Sequence, residues 1–226
     1  MTLRTHTNNT FKNQLKFYEE RAKKEYLIWC EQIINLIESI HFNVSKVSIN
    51  DIGCNYFQLY KEIVKRNLQN SYDYYGYDID KEFIDLGLKY FPELKDKHEV
   101  ANIENITPRN SLVTVVSAVL EHTNNPLSML DNILKSNPEY FFLRTFVGEK
   151  DINFLMDDKS YVQEPYFINQ FSYDFMNDFF SKNKYEIEFI EDKATNNSLE
   201  YELFKDTGIM RKMYIIAAKN LNKNNI

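Results

Sequence analysis

The sequence predicts an α/β fold built on a mostly parallel sheet with helices on both faces. Apolar segments of strand length alternate with amphipathic helical segments four or five times along the chain, as in parallel strands joined by right-handed crossovers. The segment "SLVTVVSAVL" is almost entirely apolar and rich in valine, which is typical of a strand buried on both faces. The last two strand segments have little helix between them, so we expect them to pair antiparallel.

Composition sets the broad class of the protein. The chain has 226 residues, of which 43% are hydrophobic and 15% aromatic, enough for one well-filled core. A net charge of −6 argues against nucleic acid as the main partner, because phosphate binding needs a basic face. Cys30 and Cys54 are too few for a disulfide framework and are interpreted as reduced thiols.

Neither a leader nor a membrane span is visible in the sequence. The first ten residues are polar, and no apolar run approaches the roughly 20 residues of a transmembrane helix. We therefore expect a cytoplasmic protein that does not bind membranes.

The N-terminal segment is predicted to be one long helix over residues 11–40. We expect residues 1–45 to form a helical extension of the sheet domain that packs on its core. A lid over the active site and a homodimer contact are the two other interpretations. The apolar and aromatic residues recur at steps of three and four, and they are Phe11, Leu15, Tyr18, Ala22, Tyr26, Trp29, Ile33, Ile37 and Ile40.

The first half of the sheet domain, residues 46–220, follows directly. A strand is predicted at "KVSINDI", then a helix over 56–69, and then a strand at "YDYYGYDI". Asp80 is expected to cap a helix over 81–91, and "HEVANI" is predicted to form a short strand.

The second half begins with the buried "SLVTVVSAVL" strand. Asn125 and Pro126 form a good N-cap and first-turn pair for a helix that ends near Lys135. Strands are predicted at "YFFLRTFV", "KYEIEFIE" and "RKMYIIAAK", with a helix capped by Ser172 before the second of them. A long functional loop is predicted for the residues from 148 to 171, and a disordered tail for the last six.

Polar residues follow four of the predicted strands, at Asp51–Asn55, Asp78, Asn102–Ile103 and Ala118–His122. In an open parallel sheet, ligands bind in the crevice beyond the carboxyl ends of the strands. We therefore expect these four groups to line one crevice.

A carboxylate at the second strand end can accept hydrogen bonds from both vicinal hydroxyls of a ribose, which is the role predicted for Asp78. The alternative for Asp78 is helix capping, but Asp80 already suits that role. Asn102 can donate and accept at the edge of an adenine, with Ile103 on its face. For Asp51 the alternative is capping of the following turn, and for Gly53 an ordinary turn position, although only five glycines occur in the chain and one of them lies here.

Glu121 and His122 follow the buried fourth strand, and a histidine there can act as a general base near neutral pH. The alternative is a histidine that only bonds loop backbone. The sequence contains no HExxH or CxxC, so a structural metal is not expected. It contains no GxxxxGK[ST] and no GxSxG, which excludes a P-loop kinase and a hydrolase elbow.

Four motifs together resemble those of a known family. "DIGCN", "GYDID", "ANIENI" and "VLEHTNNP" occur in the order of the motifs of class I S-adenosylmethionine-dependent methyltransferases, over roughly residues 46–220. The resemblance implies a Rossmann-like, mostly parallel seven-stranded sheet with a reversed last strand. It also implies S-adenosyl-L-methionine as the cofactor.

The resemblance also implies roles for individual residues. The loop after the first strand would hold the methionine part of the cofactor, the second strand end its ribose, the third its adenine, and the fourth the sulfonium side. The implied cofactor-binding residues are Asp51, Gly53, Cys54, Asn55, Asp78, Ile79, Asn102, Ile103 and Ala118.

Two features depart from the family pattern. The usual D-x-G-x-G-x-G has Asn55 and Phe57 in place of its second and third glycines. Asparagine tolerates left-handed backbone angles, but Phe57 would close the approach to the cofactor unless the loop bends away. At the adenine site, where the family commonly has Asp, this chain has Asn102.

The expected reaction is methyl transfer to a small-molecule acceptor, in first place a hydroxyl of a sugar, glycan precursor or natural product. His122 is the candidate base, with Glu121 as orienter or substrate contact. Arg144 could hold an anionic substrate group or could pair with a carboxylate, while Tyr18 and Tyr166 would wall the acceptor pocket. A nitrogen or carbon acceptor stays open. The many Asn, Lys, Ile and Tyr residues are typical of AT-rich bacterial genomes.

Two other functions are compatible with the sequence. A non-catalytic partner protein would keep the fold and use the aromatic 11–40 helix as its working surface. A nicotinamide-dependent oxidoreductase is disfavoured, because a dinucleotide requires the glycine-rich pyrophosphate turn that this chain lacks.

Overall fold

The structure, a computed structural model, describes most of the chain. The described residues are 18–23, 26–156, 166–195, 201–202 and 210–223. Within them, no helix has the length and apolar character that crossing a bilayer requires.

Strands and helices alternate through most of the described chain. The strands are β1 (Val47–Ile52), β2 (Tyr72–Asp78), β3 (His98–Val100), β4 (Val113–Ser117), β5 (Tyr140–Gly148), β6 (Ile152–Met156), β7 (Tyr166–Ser172), β8 (Tyr185–Glu191), β9 (Tyr201–Glu202) and β10 (Met210–Asn220). The labelled α-helices are α1 (Ile28–Glu38), α2 (Gln58–Lys65), α3 (Lys81–Tyr90), α4 (Pro126–Lys135) and α5 (Tyr173–Lys182), and residues 18–23 are also helical.

The central sheet has the order β3-β2-β1-β4-β5-β10-β8. Neighbouring strands from β3 to β5 pair in parallel, whereas β10 runs antiparallel to both β5 and β8. The predicted mostly parallel sheet with a reversed last strand is therefore confirmed. Seven strands form its continuous run, and β6, β7 and β9 pair beside that run and bring the described sheet to ten strands. The parallel arrangement places the carboxyl ends of β1 to β5 along one edge, where the predicted polar groups lie.

The N-caps predicted for three helices are also confirmed, whereas the helix predicted over 56–69 is shorter and covers Gln58–Lys65. Each predicted N-cap side chain accepts a hydrogen bond from a nearby backbone N–H: Asp80 from Glu82, Asn125 from Ser128 and Ser172 from Phe175. A disordered tail was expected for residues 221–226, but Leu221–Lys223 forms a short 3-10 turn after β10, and residues 224–226 lie outside the described part.

The single helix predicted over residues 11–40 is wrong within the described residues. Tyr26 and Leu27 are not helical, and α1 ends at Glu38. The two helical parts pack on different surfaces, which one straight helix cannot reach: Ala22 contacts Tyr56 and Leu86, whereas α1 packs on the sheet core. The interpretation of this segment as a core-packing helix holds for α1. A dimer contact stays a prediction, and residues 11–17 lie outside the described part.

The long loop predicted from residue 148 to residue 171 is also wrong in its described part. There, β6 and β7 form an antiparallel hairpin, and the end of β7 pairs in parallel with the end of β5. The amides Asn169 and Gln170 are buried inside β7, and their polarity concealed the strand in the sequence. Residues 157–165 lie outside the described ranges.

The loop after β1 keeps a glycine-type backbone with few glycines. Gly53, Asn55 and Phe57 have φ angles of 73°, 53° and 62°, so all three adopt left-handed conformations. These are the three glycine positions of the family pattern. The substitutions therefore change the side chains but preserve the shape of the loop.

The Phe57 ring is fully buried and fills space left by two glycines. A methyl group on Gly87 would lie 2.5 Å from this ring, and one on Gly76 would lie 3.0 Å from it. The ring also packs against Tyr74, with centroids 6.3 Å apart. Phe57 thus anchors the loop in the core and stays out of the crevice at the strand ends.

This packing predicts that Gly87→Ala destabilises the protein. In a helix interior, alanine normally stabilises by up to about 1 kcal/mol relative to glycine. Here the added methyl group strikes Phe57, and overpacking of this kind costs about 1–3 kcal/mol. We expect a lower free energy of unfolding, measured by urea denaturation.

A double-mutant cycle provides the control. In a Phe57→Ala background both clashing ring carbons are gone and only the Tyr56 carbonyl carbon stays close, at 3.0 Å, so Gly87→Ala should lose much of its cost. Glu82→Ala, an exposed substitution in the same helix, should change stability by less than about 0.5 kcal/mol. Equal costs of Gly87→Ala in both backgrounds would contradict the packing described.

Candidate active site

A cavity of about 730 Å³ lies at the carboxyl ends of the parallel strands, within the usual range of roughly 300–1,000 Å³ for small-molecule sites. Residues from the helical 18–23 segment and from Tyr26–Trp29 form one of its walls. Of the predicted site residues, those that line the cavity are Tyr18, Gly53, Asn55, Asp78, Ile79, Asn102, Ile103, Ala118, His122 and Arg144.

The loop after β1 forms one wall and packs closely on the end of β4. A Cβ atom on Gly53 would collide with the Val119 side chain, so this position needs glycine for space as well as for its positive φ. The Asn55 side-chain oxygen accepts a hydrogen bond from the Tyr56 N–H at 2.9 Å. This local bond helps asparagine hold a left-handed conformation that most residues avoid.

Asp78 at the end of β2 holds this loop through its carboxylate. One oxygen accepts from the Asn55 N–H at 2.8 Å, and the other accepts from the Asp80 N–H at 2.9 Å. Asp78 is only 9% exposed, and burial raises the pKa of its carboxyl to about 6 although these N–H donors oppose the shift. At neutral pH the group is ionised, and each oxygen can accept one further hydrogen bond.

The turn after β3 presents a hydrogen-bond donor. The Asn102 side-chain oxygen accepts from the Glu104 N–H at 3.0 Å, which assigns the oxygen and nitrogen of this amide. Its Nδ2 is buried and has no hydrogen-bond partner among the residues that the structure describes. Asn132 of α4 secures the turn by donating to the carbonyls of Ile103 and Glu104 at 2.9 and 3.0 Å.

His122 ends a 3-10 turn, Leu120–His122, directly after β4. Its Nδ1 lies 3.3 Å from the carbonyl oxygen of Phe167, which can only accept, so Nδ1 carries the proton and Nε2 keeps its lone pair. Burial lowers the pKa of His122, the Phe167 hydrogen bond opposes this, and the charge of Arg211 lowers the pKa further. The imidazole is therefore neutral at pH 7, the form that can accept a proton.

The backbone at the end of β4 is strained. Ala118 has a φ of 55°, an unusual left-handed angle for a residue with a side chain, and its N–H donates to the Arg144 carbonyl at 2.9 Å. Such angles cost about 1–3 kcal/mol and concentrate at functional sites. The sequence contained no signal for this strain, because alanine does not mark it.

Asp51, Cys54 and Glu121 were predicted as site residues, but they do not line the cavity. Asp51 is buried below the loop and accepts from the Tyr74 hydroxyl at 2.6 Å, and burial raises the pKa of its carboxyl to about 7. The Cys54 side chain is buried in the core. Glu121 is buried and accepts from the Thr145 hydroxyl at 3.1 Å, so its predicted role as a substrate contact is not supported.

Arg144 lines the cavity, but its charge is already paired. Nε and one terminal nitrogen donate to the two oxygens of the fully buried Asp192, both at 2.9 Å, and that nitrogen also donates to Thr195 at 2.6 Å. Of the two interpretations of Arg144, the carboxylate pair is the one observed, and its partner is a buried residue. This pairing lowers the pKa of Asp192 against the opposing effect of burial.

Aromatic residues complete the wall. The Tyr18 ring packs edge-on against Phe83 with centroids 4.9 Å apart, and the Trp29 ring lies 5.9 Å from the Arg144 guanidinium. The side chain of Tyr166 lies outside the described part. The predicted site lacked Arg21, Trp29, Ser117 and Thr195, which also line the cavity, because no motif distinguishes them from ordinary surface or helix residues.

Comparison with known proteins gives a match in structure alone. No family model matches the sequence, and no curated protein matches it. Solved structures match over most of the chain. An S-adenosylmethionine-dependent methyltransferase from Clostridium acetobutylicum superposes with a TM-score of 0.60 at 11% identity, covering 94% of this chain and 99% of that one.

Two further matches have known cofactor complexes. The O-methyltransferase of a trans-AT PKS multienzyme of Brevibacillus brevis, in complex with S-adenosyl-L-homocysteine, gives a TM-score of 0.62 at 15% identity over 95% of this chain and 78% of that one. Magnesium protoporphyrin IX methyltransferase from Synechocystis, with bound S-adenosylmethionine, gives a TM-score of 0.56 at 11% identity. The match covers 96% of this chain and 86% of that one. The chain therefore has the fold of the class I S-adenosylmethionine-dependent methyltransferases.

Proposed function

We propose that this protein is an S-adenosylmethionine-dependent methyltransferase that acts on a small molecule, in first place on a hydroxyl of a sugar, glycan precursor or natural product. One observation carries the proposal: the Asp78 carboxylate lines the cavity beside a glycine-type loop whose Phe57 ring is turned into the core. The cavity therefore offers a carboxylate that can accept hydrogen bonds from the two ribose hydroxyls, and it offers open space for the cofactor.

The residues around the cavity fit each part of this cofactor. Asp78 would accept from the ribose hydroxyls, and the Asn102 Nδ2 would donate to a ring nitrogen of the adenine. Gly53 and Asn55 would face the methionine part, with Ala118 on the sulfonium side. The Asn102 nitrogen has no hydrogen-bond partner in the described part of the chain, and this supports the fit, because a buried donor without an acceptor is unfavourable until a ligand supplies one.

When bound, the cofactor supplies a methyl group that is already activated for transfer. The protein then has to hold an acceptor in line and exclude water. A hydroxyl acceptor must also lose its proton, and the neutral His122 beside the cavity is suited to accept it through Nε2.

Aromatic side chains line the cavity beside the cofactor residues. Lys61 and Lys65 lie over the Tyr26 ring, 5.0 and 4.6 Å from its centroid. Trp29 is therefore the residue that offers an aromatic surface to a ring-shaped acceptor. Because Arg144 is bound by Asp192, we assign it no anionic substrate group.

Cofactor binding should weaken in acid. The ionised Asp78 accepts hydrogen bonds from hydroxyls, and its pKa is raised to about 6, so protonation removes the acceptor just below neutral pH. We expect the affinity for S-adenosylhomocysteine to be constant from pH 7 to 8. Below pH 6 it should fall about tenfold per pH unit, as expected for one linked proton. Isothermal titration calorimetry measures it.

Three variants identify the group responsible. Asp78→Asn should weaken binding at pH 7.5 by about 10- to 100-fold, the usual worth of hydrogen bonds to a charged group, and should abolish the pH dependence. Two other groups titrate near this range, His122 and the buried Asp51 carboxyl, whose pKa is about 7. His122→Gln and Asp51→Asn remove them one at a time, and each should leave the fall in affinity below pH 6 in place. Absence of binding by the wild-type protein at any pH would instead favour a non-catalytic scaffold.

Asn102→Asp should weaken cofactor binding, although aspartate is common at this position in the family. The Glu104 N–H occupies one oxygen in either residue, so the substitution replaces an N–H donor with an acceptor that repels a ring nitrogen. We expect an affinity for S-adenosylhomocysteine about tenfold lower, corresponding to one hydrogen bond. Asn102→Ala serves as the reference, and tighter binding by Asn102→Asp would show that the adenine amine is recognised instead.

Turnover tests the role of His122. The protein is incubated with S-adenosylmethionine labelled in its methyl group and a panel of sugars, phenols and amines. For a hydroxyl acceptor, His122→Gln should lower kcat by about 10²- to 10⁴-fold and leave the affinity for S-adenosylhomocysteine within threefold. Unchanged turnover in His122→Gln would limit this residue to a structural or binding role.

A further inference from the structure

We propose that Asn169, on the β6–β7 hairpin, is a positioning residue that holds the His122 turn and sets the tautomer of the imidazole. The role of the tautomer in proton transfer rests on the proposed function. The positioning itself concerns the protein alone and can be measured without an acceptor.

The first step is the contact between the hairpin and the turn. Asn169 is 1% exposed, and its Nδ2 donates to the carbonyl of Leu120 at 3.0 Å and to that of Thr123 at 2.8 Å. These two carbonyls flank Glu121 and His122. Both N–H groups of one buried amide are therefore used to hold the two ends of the turn that carries the candidate base.

The second step is the orientation of this amide. Asn153, on the paired strand β6, donates from its Nδ2 to the Asn169 Oδ1 at 2.6 Å. A flipped Asn169 would place its oxygen against the two carbonyl oxygens and its NH₂ against the Asn153 donor. The hairpin therefore fixes which end of the amide faces the turn.

The third step links the same strand to the ring. The carbonyl of Phe167, two residues before Asn169 on β7, accepts from His122 Nδ1 at 3.3 Å. The hydrogen bond at one ring nitrogen decides the protonation of the other. Strand β7 thus holds the turn backbone through a side chain and the imidazole through its own backbone.

These contacts predict what happens when Asn169 is lost. Without its two N–H donors, the Leu120–Thr123 turn is released from β7, and the 3.3 Å contact between His122 and Phe167 is not maintained. The neutral histidine side chain in water favours the form protonated at Nε2. Release of the turn should therefore move the proton from Nδ1 to Nε2, which removes the lone pair that a base requires.

The test compares the imidazole tautomer in wild-type protein and in Asn169→Ala. Nitrogen-15 NMR of histidine-labelled protein distinguishes the two forms, and His122→Gln identifies the His122 signal among four histidines. We expect His122 to be protonated at Nδ1 in the wild type and mainly at Nε2 in Asn169→Ala. Affinity for S-adenosylhomocysteine should stay within threefold. With an acceptor, kcat should fall about 10- to 100-fold at similar KM.

Gln170→Ala is the matched control. Gln170 is the next residue on β7, is equally buried and donates to the Lys150 carbonyl at 3.2 Å, away from the turn. It should leave the His122 tautomer unchanged. If Asn169→Ala does not fold, Asn153→Ala removes only the bond that orients Asn169, and it should produce a smaller shift in the same direction.

The outcomes are separate from those for the proposed function. A wild-type His122 protonated at Nε2, or a folded Asn169→Ala with the wild-type tautomer, overturns the positioning role. A shift in Gln170→Ala as large as in Asn169→Ala also overturns it, because the effect would then be general to the strand. Failure to bind S-adenosylhomocysteine would overturn the proposed function and leave the tautomer result intact.

Discussion

A carboxylate that is removed from bulk water needs hydrogen-bond donors. The hydrogen bonds that Asp78 accepts set the positions of the loops around the crevice. Asp78 accepts one from the loop after β1 and one from its own loop, so the ends of two neighbouring strands are tied at a single side chain. To present the Asn55 N–H, the loop runs through three left-handed residues. Two of these carry side chains, at about 1–2 kcal/mol each.

The core offsets this strain. Phe57 transfers a large ring out of water into a site with the space of two absent side chains, those of Gly76 and Gly87. Burial of such a ring contributes about 1.5–3 kcal/mol, comparable to the strain at its own backbone. The packing of Phe57 therefore stabilises the shape of this loop. A glycine-rich loop needs no such packing, because glycine has no Cβ atom that a positive φ would strain.

The sequence predicted the sheet well because each strand carries its own burial pattern, as in "SLVTVVSAVL" and "KYEIEFIE". Two segments were mispredicted for identifiable reasons. Periodicity over residues 11–40 shows an apolar stripe but not the two surfaces on which it packs. In β7, the buried amides Asn169 and Gln170 resemble loop residues until their partners are known.

The candidate site shows the same limit at the level of single residues. The rule that ligands bind at strand ends located Asp78, Asn102 and His122 correctly at the cavity. It could not show that Asp51 points away from the cavity, because in a strand a step of one residue reverses the side on which a side chain lies. Glu121 lies in a 3-10 turn, and the strand-end rule does not say which residue of such a turn faces the ligand. The partner of Arg144 is 48 residues distant in sequence, so no local pattern could reveal it.

The exchange of glycine for phenylalanine at position 57 also affects how related chains can be recognised. A search that requires three glycines in this loop does not find such proteins. In this chain the small residues that the loop needs are Gly76 on β2 and Gly87 on α3, which leave space for the Phe57 ring. An aromatic residue after the first strand, together with small residues at those two places, is a combined signature that would retrieve homologues of this kind. A chain with the aromatic residue and bulky partners would have to build the loop in another way.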